Sequence, residues 1–157
     1  AYSTYPGKDL QMDYEEGLFI GYRWYDKKDI QTLFPFGHGL SYTDFNYTDL
    51  QVQIQSQNAV SCKFSIENIG EVYGVETAQC YVGFKINNDS EPKKTLQGFK
   101  KIELNSGNKS EVEIILDKRS FSSWNEANRN WEVRSGSYEI LIGSSAEKIL
   151  LQTTIDL

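Results

Sequence analysis

A chain of 157 residues suits about one domain with an appendage, and its 39% hydrophobic and 13% aromatic content is that of a folded protein and not of a disordered one. The net charge is −6, and the basic residues occur in scattered pairs such as Lys27-Lys28, Lys93-Lys94 and Lys100-Lys101, which argues against nucleic acid and membrane surfaces as partners. No apolar run approaches the roughly 20 residues that cross a bilayer, and Ala1 in place of Met points to a partial or processed chain.

The first 43 residues show no clean period. Met12 to Asp26 is dense in aromatics without a repeat of two or 3.6, and it leads through Lys27 to Thr32 into "FPFGHGLSYT", Phe34 to Thr43. A segment this apolar has to bury itself, yet it lacks the pattern of an independent domain, so it reads as an arm that packs on a neighbour.

From about Asp44 onward the period is two, the mark of strands with one wet face. Leu50, Val52 and Ile54 alternate with glutamines; Phe45 and Tyr47 lie on the opposite phase, which predicts a bulge near Thr48-Asp49. Val60 to Ile66, Ala78 to Phe84, Leu96 to Leu104, Val112 to Leu116, Tyr138 to Gly143 and Ile149 to Ile155 continue the series. Turn formers separate them at Asn68-Ile69-Gly70, Asn87-Asn88-Asp89, Asn105 to Asn108, Ser135 to Ser137 and Gly143 to Ser145. Trp124 and Trp131 bracket the polar tip "NEANRN" and predict a hairpin pinned by a cross-strand pair. About seven strands at this spacing give an all-β, antiparallel two-sheet sandwich, with Tyr138 to Ile142, apolar on both phases, as a covered central strand.

The candidate chemistry is thin. Cys62 and Cys80 lie on apolar phases and read as buried free thiols, too few for a disulfide framework. They favour a reducing cytoplasm slightly, with secretion left open. His38, the only histidine, has Ser41 and Asp44 nearby, but triads converge through folds and not through short spacing. The simpler reading makes Gly37 and Gly39 sources of backbone freedom for a tight crossing, with the imidazole hydrogen-bonded to a neighbouring element. Glu111 and Glu113 share the wet phase of a strand, a solvated face more readily than a glycosidase pair. Trp24, Trp124 and Trp131 allow a sugar-stacking platform only if their faces are open. The sequons at Asn46, Asn88 and Asn108 are explained by chance in a chain rich in Asn, Ser and Thr. No phosphate loop, metal cluster or cofactor motif is present.

"YPG" at Tyr5 to Gly7, "DYEEGLFIGYRWYD" at Asp13 to Asp26, "FPFGHGLSYTDFNY" at Phe34 to Tyr47, "ENIGEVYGVETAQCYVG" at Glu67 to Gly83, "LQGFKKIEL" at Leu96 to Leu104 and "SGSYEILIGSS" at Ser135 to Ser145 together resemble the C-terminal part of family 3 glycoside hydrolases, the β-glucosidase and β-xylosidase group. The resemblance implies that residues 44–157 are a fibronectin type III-like (immunoglobulin-like) sandwich and residues 1–43 the tail of a preceding α/β domain plus a connector. It further implies a chain without the catalytic Asp and Glu, partnered by the catalytic barrel and α/β domains of its parent enzyme. Asn105-Ser106-Gly107 and Asn125 depart from the family's usual turn residues. On this view Tyr22, Arg23, Trp24, Tyr25, Phe34, Pro35, Phe36, Gly37, His38, Gly39 and Tyr42 form a domain interface. Arg23 pairs there with a carboxylate or an aromatic face, and without a parent domain the exposed arm drives self-association. The competing readings are an independent carbohydrate-binding or adhesive module, and a small hydrolase built on His38, Ser41 and Asp44.

Overall fold

A computed structural model of the chain describes residues 7, 9–55, 59–85 and 90–157. The expected turn at Asn87 to Asp89, the sequon at Asn88 and most of "YPG" lie outside them. Among the described residues one short α-helix, α1 (Tyr22–Lys28), precedes nine strands: β1 (Phe45–Ile54), β2 (Val60–Asn68), β3 (Gly74–Phe84), β4 (Thr95–Leu104), β5 (Lys109–Leu116), β6 (Ser122–Asn125), β7 (Asn130–Val133), β8 (Ser137–Gly143) and β9 (Ile149–Asp156). Seven of them form two antiparallel sheets, ordered β1-β2-β5 and β4-β3-β8-β9, while β6 and β7 make the separate hairpin.

The sheets face each other through the apolar phases read from the sequence, because alternate residues of a strand point to one side. Val60, Cys62, Phe64, Ile66, Val112, Ile114 and Leu116 meet Ala78, Cys80, Val82, Leu104, Ile140 and Ile142 in one buried cluster. Cys62 and Cys80 are buried in it and unbridged. The β1–β2 register slips between Thr48 and Gln51, and Asp49 takes a positive φ there. Its carboxylate accepts from Thr48 Oγ1 (2.8 Å) and Lys109 Nζ (2.9 Å), which anchors the bulge. Trp124 pairs with Trp131 across the predicted hairpin. The Tyr138 phenol at the start of β8 lies within hydrogen-bond reach of the Phe121 and Arg134 carbonyls and ties that hairpin's base to the core.

Helix α1 is absent from the sequence reading for a physical reason. Seven residues make two turns, too short to display a period or to be stable alone. Gly21 caps it without a side chain, and none of its residues is fully buried; contacts with the sandwich hold it.

Tyr47 packs parallel to Phe64, ring centres 6.1 Å apart, and donates to Glu76 Oε1 at 2.7 Å. Burial, reinforced by the adjacent Glu76 carboxylate, pushes its phenol well above the ordinary tyrosine range. Burial and the nearby Tyr22 and Asp26 raise Tyr81 likewise. A group whose native pKa is raised contributes stability below its unfolded pKa, about 10 for tyrosine, and loses it as pH rises further. Urea midpoints should therefore fall steeply above about pH 10, and Tyr47→Phe should flatten that fall; a flat wild-type profile from pH 9 to 11.5 would count against native phenols held neutral.

Candidate functional site

The arm folds back on its own sandwich and covers the outer face of β3. Tyr22 sets its ring 5.3 Å from Phe36 and edge-on to Tyr81 at 5.8 Å, and its phenol oxygen accepts the Leu96 amide at 2.8 Å. Asp26 pairs with Lys94 at 2.6 Å, both largely buried, and Asp29 with Lys93 on the surface. Thr32 donates through its amide (3.2 Å) and hydroxyl (2.5 Å) to Glu147. The Phe36 carbonyl accepts the Ala146 amide at 2.8 Å, fastening the connector to the β8–β9 loop.

Gly37 lies at the tightest point of this crossing. Its φ is +84°, and a Cβ there would sit 2.0 Å from Gln79 Nε2. Gln79 is committed on both sides: its amide donates to the Ser144 carbonyl at 3.0 Å, and its oxygen accepts the buried Tyr81 phenol. Gly39 differs from the expectation. Its φ is not in the positive range and nothing lies within 4 Å of a Cβ there, so the close approach belongs to Gly37 alone.

The other expected interface residues divide into two groups. Tyr22, Arg23 and Trp24 are half-buried, as is Pro35, whose carbonyl accepts the His38 amide at 2.8 Å. Lys28 stands 5.2 Å from the Trp24 ring, and the Arg23 guanidinium 5.9 Å from that of Tyr22. Tyr25, Phe34, Phe36 and Tyr42 instead face outward: Phe34 is 69% exposed, Leu40 94% and Tyr42 fully. The His38 ring rests 5.2 Å from Phe34.

His38, Ser41 and Asp44 do line one open cleft of about 650 Å³ between the connector and the sandwich, together with Glu76, Ser144 and Glu147. The relay a hydrolase needs is not built there. Ser41 Oγ accepts the Thr43 amide at 3.3 Å, and among the described residues no hydrogen bond joins His38 to Ser41 or Asp44. Trp124 and Trp131 are both exposed but do not lie in one plane. Their rings tilt 58° against each other, and the Arg119 guanidinium covers Trp131 at 3.1 Å. Among the described residues no group of His, Cys, Asp and Glu is arranged to hold a metal.

Sequence reasoning missed Gln79 and Tyr81, the receiving side of the arm. The signal was present: "AQCYVG" puts Gln79, Tyr81 and Gly83 on the phase opposite Cys80 and Val82, a strand with few groups suited to water on either side.

A three-on-four antiparallel pair of sheets around one packed core defines a two-sheet β-sandwich domain. Residues 76–146 match the fibronectin type III-like domain family. The chain is 41% identical to thermostable beta-glucosidase B of Acetivibrio thermocellus over 99% of its own length and 21% of that protein's. It is 37% identical to an exo-alpha-(1->6)-L-arabinopyranosidase of Bifidobacterium breve, over 99% and 20%. Among solved structures it superposes on the GH3 beta-glucosidase of Bifidobacterium adolescentis with a TM-score of 0.94 at 34% identity, over 99% of this chain and 23% of that one. The beta-glucosidase DesR of Streptomyces venezuelae, solved with D-glucose, gives 0.93 at 35% identity, over 100% and 20%. The chain corresponds to the C-terminal, fibronectin type III-like region of family 3 β-glucosidases. It spans about a fifth of the length of the curated relatives it matches.

Proposed function

We propose that the chain stabilises and positions the catalytic barrel and α/β domains of a family 3 enzyme, with residues 44–157 as the sandwich and residues 1–43 as the α/β domain's tail and connector. The parent enzyme hydrolyses terminal β-linked glucose or xylose with retention, through a covalent glycosyl intermediate. One observation carries the docking role. Phe34, Leu40 and Tyr42 project outward from a connector whose other face is already fastened to a sandwich with its own complete core. Burying such side chains stabilises by roughly 1.5–3 kcal/mol each, and the sandwich has no further use for them. Without the neighbouring domains the same surface brings copies of the chain together. The arabinopyranosidase relative supports placing sugar choice outside this region.

The test compares Phe34→Ser/Leu40→Ser in the complete enzyme and in this chain alone. Thermal inactivation of the enzyme should accelerate at least tenfold while turnover of an aryl β-glucoside at 25 °C stays near wild type, and the melting of the isolated chain should hardly move. An enzyme whose inactivation rate is unchanged would refute docking through these rings.

A further inference from the structure

The two thiols of the core are neighbours across the sandwich. Cys62 is the register partner of Ile114 in the three-stranded sheet, and Cys80 that of Gly98 in the four-stranded one. Those two partners approach each other between the sheets: a Cβ on Gly98 would stand 2.6 Å from Ile114 Cγ2. A glycine at this level removes the side chain that would hold the facing strands apart, so the sheets close up where the cysteines sit. Both cysteines are completely buried, on the interior strands β2 and β3. The Cys80 thiol is held well above the ordinary range, first by its hydrogen bond with Cys62 and then by burial.

We propose that Cys62 and Cys80 are the two halves of an inter-sheet disulfide, formed when the chain folds in the presence of a small disulfide oxidant and out of that oxidant's reach once folding is complete. The chemistry is thiol–disulfide exchange. The thiolate of one cysteine attacks oxidised glutathione, releasing one glutathione thiolate and leaving a mixed disulfide; the thiolate of the other cysteine attacks the protein sulfur of that mixed disulfide and expels the second glutathione. The chain gives up two protons and two electrons, and the oxidant is reduced to two thiols. In the unfolded chain both thiols have the ordinary pKa of about 8.5, so thiolate is available in mild alkali. In the folded chain neither sulfur meets solvent and a Cys80 thiolate is disfavoured, which halts the exchange. The bridge ties β2 to β3, hence one sheet to the other, and restricts the unfolded chain.

The test refolds the chain from urea at about pH 8 with and without oxidised glutathione, then weighs the products and maps their crosslinked peptides. Refolding with the oxidant should give a monomer lighter by two hydrogens, with Cys62 joined to Cys80, and a urea midpoint above that of the reduced chain. The folded chain given the same oxidant should react at least about a hundredfold more slowly than the chain in urea. Cys80→Ala, which lacks the second sulfur, should stop at a glutathione adduct on Cys62. Adducts in place of the bridge in the two-cysteine chain, or a bridged chain with a midpoint below the reduced one, would overturn the pairing. Oxidation of the folded chain as fast as the unfolded one would overturn its protection by the core.

Discussion

Asn68→Leu should lower the unfolding free energy of the chain by about 3–4 kcal/mol, the largest loss expected from a single polar position. The side chain is fully buried at the end of β2. Its Nδ2 donates to the Val72 carbonyl at 2.8 Å and to the Leu104 carbonyl at 3.0 Å, and its Oδ1 accepts from the Gly70 amide at 3.1 Å and from the Thr43 hydroxyl. Its backbone exchanges two more bonds with the β4–β5 turn, to Asn108 and Gly107, each 2.9 Å. Leucine keeps the branched outline with two bulkier methyl groups in place of the amide oxygen and nitrogen, and four polar groups lose their partner. Each buried group left unpaired costs about 1–3 kcal/mol, reduced where a hydroxyl rotates or water enters. Urea unfolding followed by fluorescence measures the difference; a loss below about 1 kcal/mol would show that water replaces the amide. Thr43 lies just before β1, so the same substitution should loosen the connector where it enters that strand.

Gly37→Val should destabilise the docked arm by about 2–4 kcal/mol, while Gly39→Val should change it by less than about 0.5 kcal/mol. At Gly37 two costs combine. A β-branched residue is strained at φ +84°, and its Cβ would displace Gln79 and so uncouple the Tyr81 phenol and the Ser144 carbonyl. Because the arm can open without unfolding the sandwich, the effect reads most directly in amide hydrogen exchange. Protection of the Ala146 amide, which donates to Phe36, should fall about 30- to 1,000-fold in Gly37→Val. Equal effects at the two glycines would mean that chain stiffness, and not the contact with Gln79, governs the connector.

The contrast between the glycines shows where local reading stops. Both stand in one motif with the same neighbours, and nothing in "FPFGHGL" separates them. The difference arises because Gln79, 42 positions after Gly37 in the chain, passes under one and not the other. The same holds for "GYRWYD": the sequence supports an apolar arm in need of a cover, yet its short helix and its anchors on Leu96, Lys93 and Lys94 depend on β4 being in place.

Strand phases, the bulge at Asp49, the tryptophan hairpin and the two buried thiols were all legible in the sequence, because alternation along a strand reports locally which side meets water. What covers a second face is not local. Gln79 and Tyr81 were left on the outer side of β3 until the arm was seen lying there, and Asn68 looked like a turn residue until its partners at Thr43 and Leu104, 25 and 36 residues away, closed around it. Hydrogen-bond satisfaction and close approach are properties of pairs distant in the chain, so only the tertiary structure decided them.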